Sequence, residues 1–139
     1  MASDTFSAEE RAAMKDRAKE LRAESKRGKK NTEPEVLDTI SEMPPEDAVL
    51  ASRFHELVRE NAPDLMPKLW YGQPAYARDG KVICFFQAAS KFKTRYCTIG
   101  FSEDANLDDG TLWPTAFGIT GFTAAHEKTI GALIRKAVS

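Results

Sequence analysis

The chain has 139 residues, of which 42% are hydrophobic and 29% charged, and its formal net charge is -1. These values fit one globular domain with room for an appendage, and they leave no overall charge that would attract nucleic acid or a membrane. No apolar run approaches the roughly 18 residues that span a bilayer, and the polar N-terminus lacks the apolar stretch of a signal peptide. We therefore expect an intracellular, cytoplasmic protein that has neither a membrane nor a nucleic acid as partner.

Residues 1–33 are predicted to form a helical arm followed by a basic linker. Ser7 and Glu10 have the spacing of a capping box, which marks the start of a helix, and strong helix formers follow. The run over residues 25–31 is basic and has no apolar residue, as is typical of a linker. The pattern leaves open whether the arm packs on its own domain, packs on another subunit or projects into solvent. One side of the predicted helix carries a thin apolar stripe of Met14, Ala18 and Leu21.

Residues 34–139 are predicted to form one domain that begins with two helices and ends with another. Apolar residues recur at helical spacing after Pro34 until Pro44, because proline disfavours the α conformation of the residue before it. Pro45 suits the first turn of a second helix, and Thr123 is a favourable N-cap for the last one. The apolar face of the second helix consists of Leu50, Phe54, Leu57 and Val58.

Short runs with turn signals between them predict a sheet in the middle of the domain. Residues 72–74 form the first predicted turn, and Asp79-Gly80 is the strongest hairpin signal, because a type I′ turn needs positive φ at both positions. The five strands are predicted over Lys68–Tyr71, Ala75–Arg78, Lys81–Gln87, Lys93–Phe101 and Trp113–Ile119. The expected fold is an α+β two-layer sandwich, with an antiparallel sheet of about five strands flanked by N- and C-terminal helices, plus the arm.

A cluster of carboxylates on the first helix of the domain is a candidate metal site. Glu35, Asp38 and Glu42 are spaced to line one helix face, and Glu46 and Asp47 follow closely. Hard divalent cations accept carboxylate oxygens, and a ridge without His or Cys would bind them weakly and exchange them readily. The alternative is an ordinary solvated helix face. We call these five residues the acidic ridge.

Aromatic and basic residues of the predicted strands suggest a second surface. Lys91, Lys93 and Arg95 alternate, so in a strand they would project from the same side. Cations beside aromatic rings can hold an anionic or planar ligand. The alternative is that the rings belong to the core and the lysines are simply exposed. The candidate ligand-binding residues are Trp70, Tyr71, Gln73, Tyr76, Lys93, Tyr96 and Trp113.

Signals of catalysis are weak, and we expect a protein that is not an enzyme. His55 and His126 belong to no recognisable Ser-His-Asp or Cys-His arrangement, and the chain has neither a P-loop nor a GxGxxG motif. Cys84 and Cys97 lie in apolar runs without a CxxC spacing, which is typical of two reduced thiols in a core.

The segment from Trp70 to Tyr76, which contains Tyr-Gly-Gln-Pro-Ala-Tyr, resembles a motif of the YdhG-like family. In that family a helix precedes the motif, and a Gly-centred hairpin leads from it into an aromatic strand. Here the hairpin glycine is Gly80 and the aromatic strand is Val82–Phe86, so the resemblance covers roughly residues 35–138. Many members are catalogued only as domains of unknown function, and the long form here resembles a branch with an N-terminal extension.

The resemblance implies a frataxin-like fold and, for some members, the role of an intracellular iron chaperone. Such a protein would hold Fe(II) weakly on an acidic ridge and pass it to heme or iron–sulfur assembly proteins. We therefore expect either a weak iron carrier, acting through the acidic ridge, or a small-ligand or macromolecule-binding module, acting through the aromatic and basic sheet face. A monomer and a homodimer are both compatible with the sequence.

Overall fold

The computed structural model describes residues 7–27 and 31–139, and this part of the chain folds into an α+β structure. Its helices are α1 (Ala8–Arg27), α2 (Glu33–Ser41), α3 (Pro45–Asn61), α4 (Ala89–Phe92) and α5 (Ala124–Ala137). Its strands are β1 (Met66–Trp70), β2 (Gln73–Arg78), β3 (Lys81–Gln87), β4 (Cys97–Phe101) and β5 (Ala116–Ile119). The predicted fold class is confirmed. Part of the predicted linker, residues 28–30, lies outside the described residues.

The sheet is an antiparallel meander in which every strand pairs with its neighbours in sequence, in the order β1-β2-β3-β4-β5. Asp79 and Gly80 have φ values of 53° and 80°, so the predicted hairpin turn is confirmed. The first turn differs from the prediction, because Trp70 pairs with Gln73 and the two turn residues are therefore Tyr71 and Gly72.

The hydrophobic core lies between one face of the sheet and helices α2, α3 and α5. Phe54 of α3 contacts the rings of Tyr76 and Phe86 on the sheet, with ring centroids 5.6 and 6.3 Å apart. Helix α5 packs on α3, and the Arg53 guanidinium donates to both carboxylate oxygens of Glu127 at 2.7 and 2.8 Å. This helix layer fixes which side of each strand is buried, and so leaves the opposite side of the sheet as a distinct surface.

The predicted strand over Lys93–Phe101 is wrong in its first half. Residues 89–92 form the short helix α4, and Lys93 caps it in the left-handed conformation with φ of 56°. Only Cys97–Phe101 pairs in the sheet, so Lys91, Lys93 and Arg95 do not alternate along a strand. The last strand is also shorter than predicted and begins at Ala116. The hydrogen bonds that Asp47 accepts from Ser90, described below, stabilise the helical turn at α4.

Helix α1 packs on the domain in cis, against β1 and α4. Its predicted capping box is confirmed, because the Ser7 N–H donates to Glu10 Oε1 at 2.9 Å and the Glu10 N–H donates to Ser7 Oγ at 3.0 Å. The docked side is not the predicted apolar stripe, since Met14 and Leu21 are 44% and 50% exposed. Among the helices of the described residues, none combines the length and hydropathy that a membrane-spanning segment requires.

Candidate functional site

The acidic ridge does not form one uniform surface. Asp38, Glu42 and Glu46 are exposed, Glu35 is half-buried and Asp47 is buried. Helix α2 ends at Ser41, so Glu42 lies at its C-cap rather than on the helix face. Within residues 7–27 and 31–139, no group of three or more His, Cys, Asp or Glu side chains is arranged to hold a metal ion.

Asp47 holds the start of α4 in place. Its Oδ2 accepts from the Ser90 N–H at 3.0 Å and from Ser90 Oγ at 2.6 Å, and its Oδ1 accepts from the Cys97 thiol at 3.3 Å. Burial alone would raise the pKa of Asp47, but the hydrogen bonds outweigh it and lower the pKa below its ordinary value. Both oxygens of this carboxylate are engaged inside the fold, unlike those expected of an exchangeable metal ligand.

The predicted aromatic residues do not lie on one surface, and two of them face the helix layer. Tyr76 is fully buried, and its hydroxyl is 2.9 Å from His55 Nδ1, while His55 Nε2 is 2.8 Å from Glu33 Oε2. Trp113 packs against the hydrophobic core and lines a concavity beside Leu107. The prediction that these two rings share a patch with Trp70 and Lys93 is therefore wrong.

His55 is a residue whose role the sequence did not reveal. It is buried on α3 between the hydroxyl of Tyr76 and the carboxylate of Glu33, and Arg59 Nε lies 3.4 Å from the same Glu33 oxygen. The sequence gave no signal for this network, because Glu33 and Tyr76 are 22 and 21 residues from His55 and lie in other elements. Both ring nitrogens of His55 are therefore engaged inside the fold.

The face of the sheet opposite the helix layer carries a connected set of rings. One cross-strand row runs through all five strands, and its members are Lys68, Ala75, Phe85, Gly100 and Ala116. The Trp70 ring contacts Phe85 and Tyr71, with centroids 5.3 and 4.9 Å apart, and all three rings are half-buried. We call Trp70, Tyr71, Phe85 and Tyr96 the aromatic face.

Small residues lie beneath these rings and let them lie close to the backbone. A side chain at Gly100 would collide with the Phe85 ring, and one at Gly118 would meet the Tyr96 ring at 2.8 Å. Tyr96 is 39% exposed, and the guanidinium of Arg95 lies 5.2 Å from its ring centroid. The aromatic face therefore has its rings packed close to the backbone and a cation beside Tyr96.

The β1–β2 turn at one end of this face is bound by helix α1. Both turn residues have positive φ, 54° at Tyr71 and 74° at Gly72, and their N–H groups donate to the two carboxylate oxygens of Glu20 at 2.9 and 2.8 Å. Burial raises the pKa of Glu20 despite these donors. Lys91 lies beside the turn and pairs with Asp16 at 3.0 Å.

Two further predicted ligand-binding residues differ in their surroundings. Lys93 is largely exposed, and its ammonium group pairs with Glu9 at 2.9 Å. Gln73 is only 5% exposed, and its Oε1 is buried and has no hydrogen-bond partner within the described part of the chain. The structure thus brings Trp70, Tyr71 and Gln73 together at one end of the sheet, and places Tyr96 farther across the same face.

The two thiols are inert parts of the core, as the sequence predicts. Cys84 and Cys97 are free and buried. Burial raises the pKa of both thiols, to about 11 for Cys97, so neither is a thiolate at neutral pH.

A shallow groove of about 800 Å³ lies between α3 and the segment that joins β5 to α5. Val49 and Phe122 line it, and the ion pair of Arg53 and Glu127 lies at its side.

Comparisons of the chain with models of known protein families, with curated proteins and with solved structures find no match in any of the three.

Proposed function

We propose that this protein is a binding module and that the aromatic face is its recognition surface. The observation that carries the proposal is the continuous contact of Tyr71, Trp70 and Phe85 on the side of the sheet opposite the helix layer. Half-buried rings in mutual contact offer a large apolar area whose conformation is already fixed, so binding a flat ligand orders few side chains.

The chemistry of this surface favours a planar ligand that carries negative charge. A flat ring system can stack on the Trp70 ring, and the guanidinium of Arg95 beside Tyr96 supplies a positive charge on the same face. Stacking on one aromatic side chain contributes about 1–3 kcal/mol, which corresponds to roughly 5- to 150-fold in affinity.

The test is an NMR titration with 1-anilinonaphthalene-8-sulfonate, a planar apolar anion. The chain has two tryptophans, and Trp113 lies on the helix side of the sheet, so its indole N–H is an internal control for that of Trp70. We expect the Trp70 signal to shift and that of Trp113 to stay, and we expect Trp70→Ala to weaken binding at least fivefold.

A matched control variant tests whether the probe binds instead in the groove beside α3. Val49→Ala changes the groove beside α3, where Val49 is 67% exposed, and leaves the aromatic face intact. The proposal is wrong if Val49→Ala weakens binding while Trp70→Ala does not, or if the probe shifts neither indole signal at millimolar concentration.

A weak Fe(II) carrier is the second candidate function. What supports it is the family resemblance together with three exposed carboxylates at intervals of four residues in the sequence, Asp38, Glu42 and Glu46. A carrier of this kind would pass ferrous iron to heme or iron–sulfur assembly proteins. Asp47 would have only a structural part in it, because its oxygens are engaged with Ser90 and Cys97.

An anaerobic ferrous titration followed by amide NMR separates the two candidates. A carrier would show selective broadening near Asp38, Glu42 and Glu46 at micromolar iron, lost when all three are changed to their amides and kept in Trp70→Ala. Absence of broadening below millimolar metal would exclude the carrier role and leave the aromatic face as the functional surface.

A further inference from the structure

Helix α1 docks on the domain through a polar side. The residues of α1 that are at least partly buried recur at helical spacing, and they are Glu9, Ala13, Asp16, Arg17, Glu20 and Ala23. Ala13 is the buried apolar residue among them, whereas the larger apolar side chains of Met14 and Leu21 are exposed. A single alanine gives little hydrophobic stabilisation, so charge and hydrogen bonding hold α1 in place.

The surface that receives α1 has the features of an oxyanion site. The N–H groups of Tyr71 and Gly72 point to the two oxygens of one carboxylate, at 2.9 and 2.8 Å. Successive N–H groups in such a turn form a concave site for anions. The ammonium of Lys91 adds a positive charge, because a Cβ built on Gly72 would lie only 2.8 Å from Lys91 Nζ.

The backbone of the turn is constrained in a way that preserves this site. Tyr71 has φ of 54°, a conformation that is uncommon for a bulky side chain and that directs its N–H to the same side as that of Gly72. At Gly72 a side chain would collide with the Asp16 carboxylate, so glycine is required for close approach as well as for its φ of 74°.

We propose that the β1–β2 turn, with Lys91, is a binding site for a helix of a partner protein that carries two carboxylates one turn apart, and that α1 occupies this site in cis as a displaceable substitute. Asp16 and Glu20 provide that pair of carboxylates within the chain. An external helix with the same spacing would satisfy the same three donors. This inference concerns the turn at one end of the aromatic face, uses the backbone of Tyr71 rather than its ring, and does not depend on ligand binding to the rings.

The electrostatic character of the docking makes α1 displaceable. The ion pairs of Lys91 with Asp16 and of Lys93 with Glu9 are partly exposed, and exposed ion pairs are weak and screened by salt. A competing helix has to replace these contacts and the burial of Ala13.

The experiment uses the full chain with Asp16→Ala and Glu20→Ala together, which removes both carboxylates and keeps residues of high helix propensity. The probe is a synthetic peptide of residues 7–27, blocked at both ends, added to labelled protein. We expect the double variant to bind the peptide with shifts of the Tyr71 and Gly72 amide signals, and the wild type to bind it at least tenfold more weakly because its own α1 competes.

Two further variants make the outcome specific. Lys91→Gln, added to the double variant, is expected to weaken binding of the peptide at least threefold. The control variant carries Lys15→Ala and Lys19→Ala on the exposed side of α1, and it should bind the peptide as weakly as the wild type does. The proposal is overturned if the double variant does not bind the peptide, or if its Tyr71 and Gly72 amide signals match those of the wild type. Dimerisation of the wild type through exchange of α1 would also overturn it, since the occupant would then be a second copy.

Discussion

Asp47 was predicted as a metal ligand but lies inside the fold, and replacing it distinguishes the two roles. Asp47→Ala leaves the Ser90 N–H and the Cys97 thiol without an acceptor, while Ser90 Oγ can turn to water because that residue is exposed. A hydrogen bond to a charged group contributes about 1.5–3 kcal/mol, and a thiol is a weak donor. We therefore expect the free energy of unfolding to fall by about 2–3 kcal/mol.

Asp47→Asn provides a graded comparison. Its carbonyl oxygen can still accept from Ser90, so the expected loss is about 1 kcal/mol. Urea denaturation measures both variants, and for an m-value of about 2 kcal/mol/M the alanine variant should shift the midpoint by about 1 M. Glu46→Ala is the control, since this neighbouring side chain is exposed and its removal should change stability by less than about 0.5 kcal/mol.

The pH dependence of stability gives an independent check on Asp47. Its pKa is lowered in the folded state, so the stabilisation is present above the ordinary value of 3.8 and is lost as pH falls through the lower folded value. The wild type and Asp47→Asn should therefore converge in stability in strong acid. The structural role of Asp47 is refuted if the free energy of unfolding of Asp47→Ala at pH 7 differs from that of the wild type by less than about 0.5 kcal/mol.

Two other substitutions test the two sides of the sheet. Tyr76→Phe removes a buried hydroxyl that bonds His55, so we expect a loss of about 1–2 kcal/mol in urea denaturation, against less than about 0.5 kcal/mol for Tyr96→Phe on the exposed side. Gly100→Ala places a methyl group against the Phe85 ring, so we expect the free energy of unfolding to fall by about 1–3 kcal/mol and the NMR signals of the Phe85 ring to shift. Unchanged ring signals would contradict the close packing.

Local signals in the sequence predicted the parts of the fold that depend on local chemistry. Pro45 begins α3, Thr123 caps α5 and accepts from the His126 N–H, and the strand over Lys81–Gln87 has the predicted bounds. The Asp79-Gly80 turn was predictable for the same reason, since few residue pairs adopt positive φ at both positions. Each of these features is set by residues a few positions apart.

Features that depend on distant contacts could not be predicted in the same way. Tyr71 is an unusual first residue for a turn with positive φ, and the Glu20 carboxylate that binds its N–H is 51 residues away. Helix α4 likewise depends on Asp47, which is 43 residues before Ser90. The candidate ligand surface failed in part because strand periodicity assigns alternate residues to two faces but does not say which face holds the core, and Tyr76 lies on the core side.

The meander topology has a consequence for how the chain folds. Because each strand pairs with the next one along the chain, the whole sheet can form by successive closure of short loops, which carries a small entropic cost. Helix α5 is different, since its ion pair from Glu127 to Arg53 joins residues 74 positions apart. The C-terminal helix therefore closes a long loop, and a nascent chain that stops before it leaves α3 and the sheet without their last covering element.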